Sequence, residues 1–255
     1  MTDLVEMLRR IGLRASAEAL HALMTHAQKS KLGIPAFVEQ LVELELRERE
    51  ARNLAARTKA ATLGLFKPLD QFEWNHPRAI DRELYEDLLS LDFLESGDNV
   101  LLRGPAGVGK STLAQNLGLR ALERGYTVRY GTLNAALADL LRQESLPATE
   151  RRLKRYVAPD LLILDELGYV PCDSRAADLL FHIVSRRHEL RSIVITTNLP
   201  FKAWGSVFQD ASCLGALVDR FAQHCHVLDV EAESYRRKTP PKRPRPTRAT
   251  RKAKP

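Results

Sequence analysis

The chain has 255 residues, of which 44% are hydrophobic and 28% are charged, and its formal net charge is +7. This length and composition allow one sizeable buried core with a smaller satellite domain, so we expect a globular protein. The three cysteines are odd in number and widely spaced, which argues against a disulfide framework. No apolar run approaches the roughly 20 residues that span a membrane, so we expect no membrane partner and a cytoplasmic location.

Residues 1–63 are predicted to form a small all-helical N-terminal domain that contacts a partner or DNA. Leu4, Leu8 and Ile11 begin a series of apolar residues at three- and four-residue steps, which is typical of amphipathic helices. The stretch Gly33-Ile34-Pro35 predicts a break, after which a second helix begins at Ala36. Prolines and aromatic residues interrupt the helical pattern over residues 64–83, which we interpret as a linker into a second domain.

From residue 84 to residue 235 the pattern alternates between strands and helices. Apolar runs predict strands, and the segments between them have helical spacing. This alternation indicates an α/β fold with a five-stranded, mostly parallel sheet and helices on both faces. The predicted strands are Asn99–Arg103, Thr127–Tyr130, Leu161–Leu164, Ser192–Thr197 and His226–Val230, and the predicted helices include Arg82–Leu91, Ser111–Arg124, Ala176–Glu189 and Leu214–Ala222.

The segment that follows the first of these strands has the spacing of a phosphate-binding loop. It reads Gly104-x-x-x-x-Gly109-Lys110-Ser111, between an apolar run and a helical pattern. Glycines let successive backbone N–H groups turn toward phosphate oxygens, and Lys110 adds a positive charge for the β- and γ-phosphates. Ser111 supplies a hydroxyl ligand for Mg²⁺. The sequence therefore predicts a nucleotide site at the N-terminus of the following helix.

Two adjacent acids end the apolar strand in "LLILDELGY". Ligands of open α/β sheets bind at the carboxyl ends of the strands, where Asp165 and Glu166 are expected to lie. Asp165 is predicted to hold Mg²⁺ through water, and Glu166 to polarise the water that attacks the γ-phosphate. The alternative is an acidic helix cap, which the phosphate loop about 55 residues earlier makes the weaker interpretation.

Two further residues are candidates for the same site. Asn198 follows the strand "SIVITT"; it orients the attacking water if that strand lies between the other two, and otherwise it is an ordinary turn residue before a proline. Arg220 lies on an otherwise apolar helix beside Asp219. It is either part of a surface ion pair of little energetic value or an arginine finger that reaches the γ-phosphate of a neighbouring subunit.

Taken together, these motifs resemble the IstB-like transposition helper ATPases, which belong to the same AAA+ branch as the DnaC-type bacterial helicase loaders. The resemblance extends from about Phe72 to Arg236, and the segments "ITTNLPFKAWGSVF" and "DRF…SYR" are more specific than the phosphate loop. Ala106 and Val108 depart from the expected proline and threonine without removing a donor that phosphates need. The departure therefore leaves the predicted loop chemistry unchanged.

The resemblance implies a P-loop AAA+ ATPase over residues 84–235 that uses ATP and Mg²⁺. It further implies a homo-oligomer on double-stranded DNA, with little dependence on DNA sequence, and a cognate transposase that is helped in target selection and strand transfer. It makes Lys110, Asp165, Glu166, Asn198 and Arg220 catalytic, with Asn198 as the sensor, and Ser111 and Asp165 the metal-binding pair. The implied ATP-binding residues are Gly104, Pro105, Ala106, Gly107, Val108, Gly109, Lys110, Ser111 and Thr112.

Two basic segments are candidates for DNA contact. The helical segment before the "LLILDE" strand contains Arg151, Arg152, Lys154 and Arg155, which either touch DNA phosphates or form a solvated face. The C-terminal segment, residues 236–255, contains ten Lys and Arg and no acid, while the rest of the chain has 29 basic and 32 acidic residues. We expect this tail to be disordered and either to contact nucleic acid or only to aid solubility.

Three other functions remain as alternatives at this point. A replicative helicase loader would have the same motor motifs. A small-molecule P-loop kinase is disfavoured by the paired acids and by the lack of an obvious arginine-rich lid. An adaptor that binds nucleotide without hydrolysing it would have the loop but would not need Glu166.

Overall fold

A computed structural model describes residues 2–75, 79–209 and 211–231. The predicted basic tail lies outside the described residues. Ten α-helices, two short 3₁₀ helices (Leu69–Gln71 and Phe201–Ser206) and six strands are present in that part of the chain. In chain order the α-helices and strands are α1 Thr2–Arg10, α2 Ala17–Lys29, α3 Ile34–Ala61, β1 Ala79–Ile80, α4 Arg82–Leu88, α5 Asp92–Ser96, β2 Asn99–Arg103, α6 Lys110–Glu123, β3 Val128–Thr132, α7 Leu133–Leu141, α8 Leu146–Val157, β4 Leu161–Leu167, α9 Ser174–Arg187, β5 Ser192–Thr197, α10 Leu214–Ala222 and β6 Cys225–Glu231.

The sheet has six strands in the order β1-β6-β2-β5-β4-β3, so the prediction of five strands was wrong by one. The five predicted strands are all present and pair in parallel. The additional strand is β1, whose two residues pair antiparallel with the end of β6, Ala79 opposite Glu231 and Ile80 opposite Val230. A two-residue strand is too short to show an alternating pattern, and its pairing comes from the tertiary structure.

Both faces of the sheet are covered by helices, which explains why the strands are apolar throughout. Neighbouring strand residues point to opposite faces. Leu101 and Leu162 therefore belong to the cluster formed with helices α7 to α10, whereas Leu102 and Ile163 belong to the cluster formed with α4 to α6. This is the doubly covered α/β arrangement predicted from the alternating pattern.

The N-terminal part is helical, and its longest helix also reaches the sheet. Helix α3 has 28 residues and is therefore about 42 Å long. Its first half contributes Leu41 and Leu44 to a small cluster with α1 and α2, and Leu54 and Ala61 near its end pack into the core beneath the sheet. It begins at Ile34, two residues before the predicted start, because a proline in the first turn of a helix needs no amide hydrogen.

Two carboxylates on α3 hold the start of α2. The Glu45 carboxylate is buried and accepts the backbone amides of Arg14 and Ala15, each at 2.7 Å. Glu48 accepts the amide of Ser16 at 2.9 Å, and the Ser16 hydroxyl in turn caps α2 by accepting the amide of Ala19. These bonds satisfy N–H groups that the turn would otherwise leave without partners.

The region after residue 80 differs from the prediction in one further respect. The expected helix Arg82–Leu91 ends three residues early, at Leu88, and a separate short helix, α5, follows it at Asp92–Ser96. Leu91, just before α5, has a left-handed backbone (φ 74°), which a continuous right-handed helix does not allow. No helix within residues 2–75, 79–209 and 211–231 combines the length and apolar character that a membrane span requires.

Candidate functional site

The phosphate-binding loop lies between β2 and α6, and three of its positions require glycine. A Cβ on Gly104 would lie 2.1 Å from the carbonyl oxygen of Val230, so any side chain there would force β6 away from the loop. Gly107 and Gly109 have φ of 80° and 101°, in the left-handed region that other residues avoid. The glycine spacing is therefore required by the geometry of this loop.

Lys110 is the first residue of α6 and is buried within the loop. Its ammonium group donates to the carbonyl oxygens of Gly104 at 2.7 Å and Pro105 at 2.6 Å. These bonds hold the lysine across the loop, close to the amides that begin the helix. Of the other predicted ATP-binding residues, Ala106 is exposed and Val108 is buried in the core, so Val108 offers only its backbone to a ligand.

Ser111 and Asp165, the predicted metal-binding pair, lie together in the structure, and Thr196 and Tyr130, to which the sequence analysis assigned no role, join them. The Ser111 hydroxyl donates to Oδ1 of Asp165 at 3.0 Å, and the Thr196 hydroxyl donates to the same oxygen. The Tyr130 hydroxyl donates to Oδ2 of Asp165 at 2.6 Å. Burial, together with the hydrogen bond to Asp165, raises the pKa of Tyr130 well above its ordinary value, so the phenol stays protonated and donates.

Glu166 follows Asp165 and has an unusual backbone. Its φ is 66°, and the pairing of β4 with β5 shifts register between Leu164 and Leu167. Its amide donates to Oγ1 of Thr196 at 2.9 Å, which holds the strained backbone in place. A non-glycine residue in this conformation is costly and is typical of functional sites. The half-buried side chain of Glu166 lines the same cleft as the phosphate loop.

That cleft has a volume of about 360 Å³ and lies between the phosphate loop and the predicted linker. A Cβ on Gly109 would lie 2.8 Å from the ring of Phe72, so the linker covers the loop directly. Two side chains of α6 hold the linker and the residue just before it: Asn116 donates to the carbonyl of Lys67 at 3.0 Å, and Gln115 donates to that of Leu63 at 2.6 Å. The lining residues are Leu65, Phe66, Lys67, Gln71, Phe72, Glu73, Gly107, Val108, Gly109, Lys110, Ser111, Thr112, Gln115, Glu166, Tyr169 and Thr196.

Asn198 and Arg220 do not line this cleft among the residues that the structure describes. The strand β5 does lie between β2 and β4, as the Asn198 hypothesis required. Asn198 itself is exposed, and its amide oxygen is 2.9 Å from where a Cβ on Gly168 would be. In this structure Thr196, two residues earlier, contacts the Asp165 carboxylate.

Arg220 is half-buried on α10 and packs against α9. Its guanidinium group bonds to the Ser185 hydroxyl and lies 4.8 Å from the centroid of the Phe181 ring. These two contacts fix the side chain at the surface between the two helices.

The predicted DNA-contacting residues share helix α8 but differ in their surroundings. Arg151, Lys154 and Arg155 are exposed. Arg152 forms an ion pair with Asp139 at 3.2 Å, and the Tyr156 hydroxyl donates to the same carboxylate at 2.7 Å. At the other side of the helix, Glu150 pairs with Arg186 through two bonds of 2.7 and 2.8 Å. Three cations of α8 are therefore directed to solvent.

Sequence reasoning missed the linker, Tyr130 and Thr196 as parts of this site. The "TTN" run did indicate polar residues at the end of β5, but it did not show which of them faces Asp165. Tyr130 resembles an ordinary apolar strand residue. For the linker the available signal was the group of aromatic residues among prolines, and it was interpreted as a connection between domains.

Comparisons with known proteins find relatives among ATP-binding proteins. The family model "IstB-like ATP binding protein" matches residues 6–243. A Pseudomonas aeruginosa protein named as an ATP-binding protein of insertion sequence IS21 is 34% identical over 238 residues, which is 93% of this chain and 90% of that protein.

Two solved structures show the same P-loop AAA+ fold at low sequence identity. The replication initiator DnaA, bound to AMPPCP and single-stranded DNA, has a TM-score of 0.54 and 21% identity, and the match covers 65% of this chain and 50% of that one. This chain thus spans about half of that initiator. The DnaC helicase loader has a TM-score of 0.51 and 20% identity, and the match covers 64% of this chain and 96% of that one.

Proposed function

Because the chain belongs to the family of IstB-like ATP-binding proteins, we propose that it is a Mg²⁺-dependent, DNA-binding ATPase of an insertion sequence. It assembles on target DNA and assists the transposase in target selection and strand transfer. The observation that carries this proposal is the arrangement of Ser111, Asp165 and Glu166 beside the phosphate loop in one cleft. Each side chain there has the chemistry that ATP hydrolysis requires.

ATP binding is assigned to the loop and the cleft. The amides of the loop and the first turn of α6 hold the phosphates, and Lys110 neutralises their charge. The oxygens of Ser111 and Asp165, 3.0 Å apart, fit Mg²⁺, which prefers a small number of protein oxygens together with substrate phosphate. When bound, Mg²⁺ neutralises charge on the β- and γ-phosphates. The volume of the cleft is within the range of nucleotide-sized ligands.

Hydrolysis is assigned to Glu166, which orients and deprotonates the attacking water. The hydrogen bond from the Glu166 backbone amide to Oγ1 of Thr196 keeps the Glu166 backbone in its left-handed conformation. The Glu166 side chain then lines the cleft. Asn198, at the end of the same strand as Thr196, is assigned the sensor role. It would approach the γ-phosphate by turning away from Gly168.

Arg220 is assigned the arginine finger, which acts on the nucleotide of a neighbouring subunit. Its contacts with Ser185 and Phe181 support this role because they hold the guanidinium group outside the cleft of its own chain. Such a residue completes the site only when subunits associate. ATP binding and oligomer formation are therefore linked in this proposal.

DNA binding is assigned mainly to the exposed cations of α8, Arg151, Lys154 and Arg155. Arg152 is held by Asp139, so we assign it a smaller share. Contacts from these side chains go to phosphates, which makes binding tolerant of DNA sequence and sensitive to salt. The helical region of residues 1–63 is assigned to partner contact, residues 64–83 to the linker, residues 84–235 to the ATPase domain and residues 236–255 to a further nucleic-acid contact.

The competing function is helicase loading, since the DnaC loader has the same fold. That likeness is limited to the fold, whereas the relative from IS21 aligns over nearly the whole of both chains. Strand-transfer assays with the transposase of the same element separate the two functions. We expect stimulation of strand transfer, and binding to a hexameric helicase without any effect on the transposase would instead establish a loader.

Two variants test the catalytic assignments together. Glu166→Gln and Arg220→Ala should each lower ATP turnover by at least about 100-fold while ATP binding persists. A mixture of the two variants should regain turnover. At some interfaces the intact Glu166 of an Arg220→Ala subunit meets the intact Arg220 of a Glu166→Gln subunit, which completes one site. The control is Glu123→Gln, an exposed acid at the far end of α6, which should behave as wild type. Unchanged turnover in Glu166→Gln would overturn the hydrolytic role, and an inactive mixture would overturn the finger in trans.

A further inference from the structure

The Asp165 carboxylate is held by hydroxyl groups from three different elements. Ser111 on α6 and Thr196 on β5 both donate to Oδ1, and Tyr130 on β3 donates to Oδ2 at 2.6 Å. Asp165 is only 3% exposed, so water has little access to it. The orientation of the carboxylate plane is therefore determined by these three donors.

Tyr130 reaches Asp165 because of the register between β3 and β4. Tyr130 pairs with Ile163 and Thr132 pairs with Asp165, which makes Tyr130 the diagonal neighbour of Asp165 on the same face of the sheet. Diagonal side chains lie about 7–8 Å apart at their Cα atoms, which a tyrosine can span but a shorter residue cannot. The hydroxyl of Tyr130, rather than the packing of its ring, makes the contact.

The backbone of Tyr130 is also held in place by residues at the end of α3. The Thr62 hydroxyl, just after α3, donates to the Tyr130 carbonyl at 2.7 Å. Arg129, the preceding residue, donates to the carbonyl of Ala60 at 3.4 Å. The edge strand β3 is thus attached to the end of α3 at the residue whose side chain holds Asp165. A phenol anchored in this way has little freedom to follow a rotating carboxylate.

We propose that Tyr130 is a positioning residue for Mg²⁺-dependent ATP binding: its hydroxyl fixes the Asp165 carboxylate so that Oδ1 faces Ser111. This inference deepens the proposed function and rests on it. Rotation of an Asp carboxyl group about its last torsion meets only a shallow barrier. Without the phenol, Oδ2 loses a donor and the carboxylate samples orientations in which Oδ1 does not face Ser111.

The test is Tyr130→Phe, which removes the hydroxyl and keeps the ring. Tyr126→Phe is the matched control, because the Tyr126 ring packs against the same core and its hydroxyl has no hydrogen-bond partner among the described residues. Binding of a fluorescent, non-hydrolysable ATP analogue is measured in EDTA and then over a MgCl₂ titration. Groups that orient metal ligands contribute about 10- to 100-fold to metal affinity. We expect the half-saturating Mg²⁺ concentration to rise by that factor in Tyr130→Phe and to stay at the wild-type value in Tyr126→Phe.

The metal-free measurement separates positioning from a general structural effect. Affinity in EDTA should stay near wild type in Tyr130→Phe, although the loss of the bond to Asp165 lowers the thermal unfolding midpoint. In an Asp165→Asn background the same substitution should not change the half-saturating Mg²⁺ concentration further. A wild-type Mg²⁺ requirement in Tyr130→Phe would overturn the inference, as would equal losses of affinity with and without Mg²⁺. If wild-type protein binds the analogue without any dependence on Mg²⁺, the proposed function fails instead.

Discussion

Replacing Thr196 by valine tests whether this residue is central to the site. Its side chain is 1% exposed, donates to Asp165 and accepts the amide of Glu166 at 2.9 Å. Valine preserves the shape but removes both bonds. A bond to a charged group contributes about 1.5–3 kcal/mol, and a buried amide without a partner costs about 1–3 kcal/mol, so we expect stability to fall by about 3–5 kcal/mol.

The neighbouring Thr197→Val variant is the comparison. Thr197 is equally buried and also uses its hydroxyl twice, donating to the carbonyl of Leu167 at 2.8 Å and accepting the amide of Leu199 at 3.0 Å. Both of its partners are neutral, so the loss should be smaller, about 2–3 kcal/mol.

Urea unfolding followed by circular dichroism gives both values, and titration with the ATP analogue gives the effect on Mg²⁺-dependent binding. Of the two variants, only Thr196→Val should weaken that binding, because Thr196 bonds to Asp165 and Thr197 does not. The reasoning is refuted if Thr196→Val is no more destabilising than Thr197→Val and binds the Mg²⁺–nucleotide complex normally.

Two further predictions concern the helical region and α8. Burial raises the pKa of Glu45, but its bonds from the amides of Arg14 and Ala15 and from Arg49 outweigh that effect and leave the pKa below 4.5. The unfolded state therefore binds the proton first, so the stability that Glu45 contributes is present above pH 4.5 and is lost as the pH falls through its folded-state value. Glu45→Gln should lower the unfolding free energy by about 1–3 kcal/mol at pH 7; an equal pH dependence of wild type and variant in acid urea titrations would contradict this. Replacing Arg151, Lys154 and Arg155 together by glutamine should reduce the slope of log affinity against log salt by about 2–3 in DNA-binding titrations. The same change at Arg47, an exposed residue of α3, is the control, and an unaltered slope in the triple variant would remove α8 from the DNA surface.

Features that depend on local pattern could be predicted from the sequence. The five parallel strands and the phosphate loop are encoded by neighbouring residues, since apolar runs form buried strands and the loop glycines satisfy local backbone requirements. The early end of α4 at Leu88 and the separate start of α5 escaped prediction, because the left-handed conformation of Leu91 between them violates the local preference of a leucine. This conformation is tolerated because Leu91 and Phe93, two residues later, are buried in the core.

Features that depend on register or on distant contacts could not be predicted in this way. Asp165 was recognised by its position after a strand, but the donors that orient it come from residues 35 positions before it and 31 positions after it in the chain. Whether a tyrosine on a neighbouring strand faces a carboxylate depends on a single step of register, which reverses the face of every side chain. The sequence of β3 alone contains no information about its pairing with β4.

The linker shows the same limit on a larger scale. Its prolines and aromatic residues predicted an irregular connection between domains, and such connections are usually exposed. Here Asn116 on α6 donates to a carbonyl of the linker, Gln115 donates to the carbonyl of Leu63 just before it, and Phe72 lies against Gly109. The helix that presents the phosphate loop therefore also determines where the linker lies. Since α3 ends just before this linker and is attached to β3 through Thr62, the segment that lines the cleft is also the one that connects the N-terminal helices to the sheet.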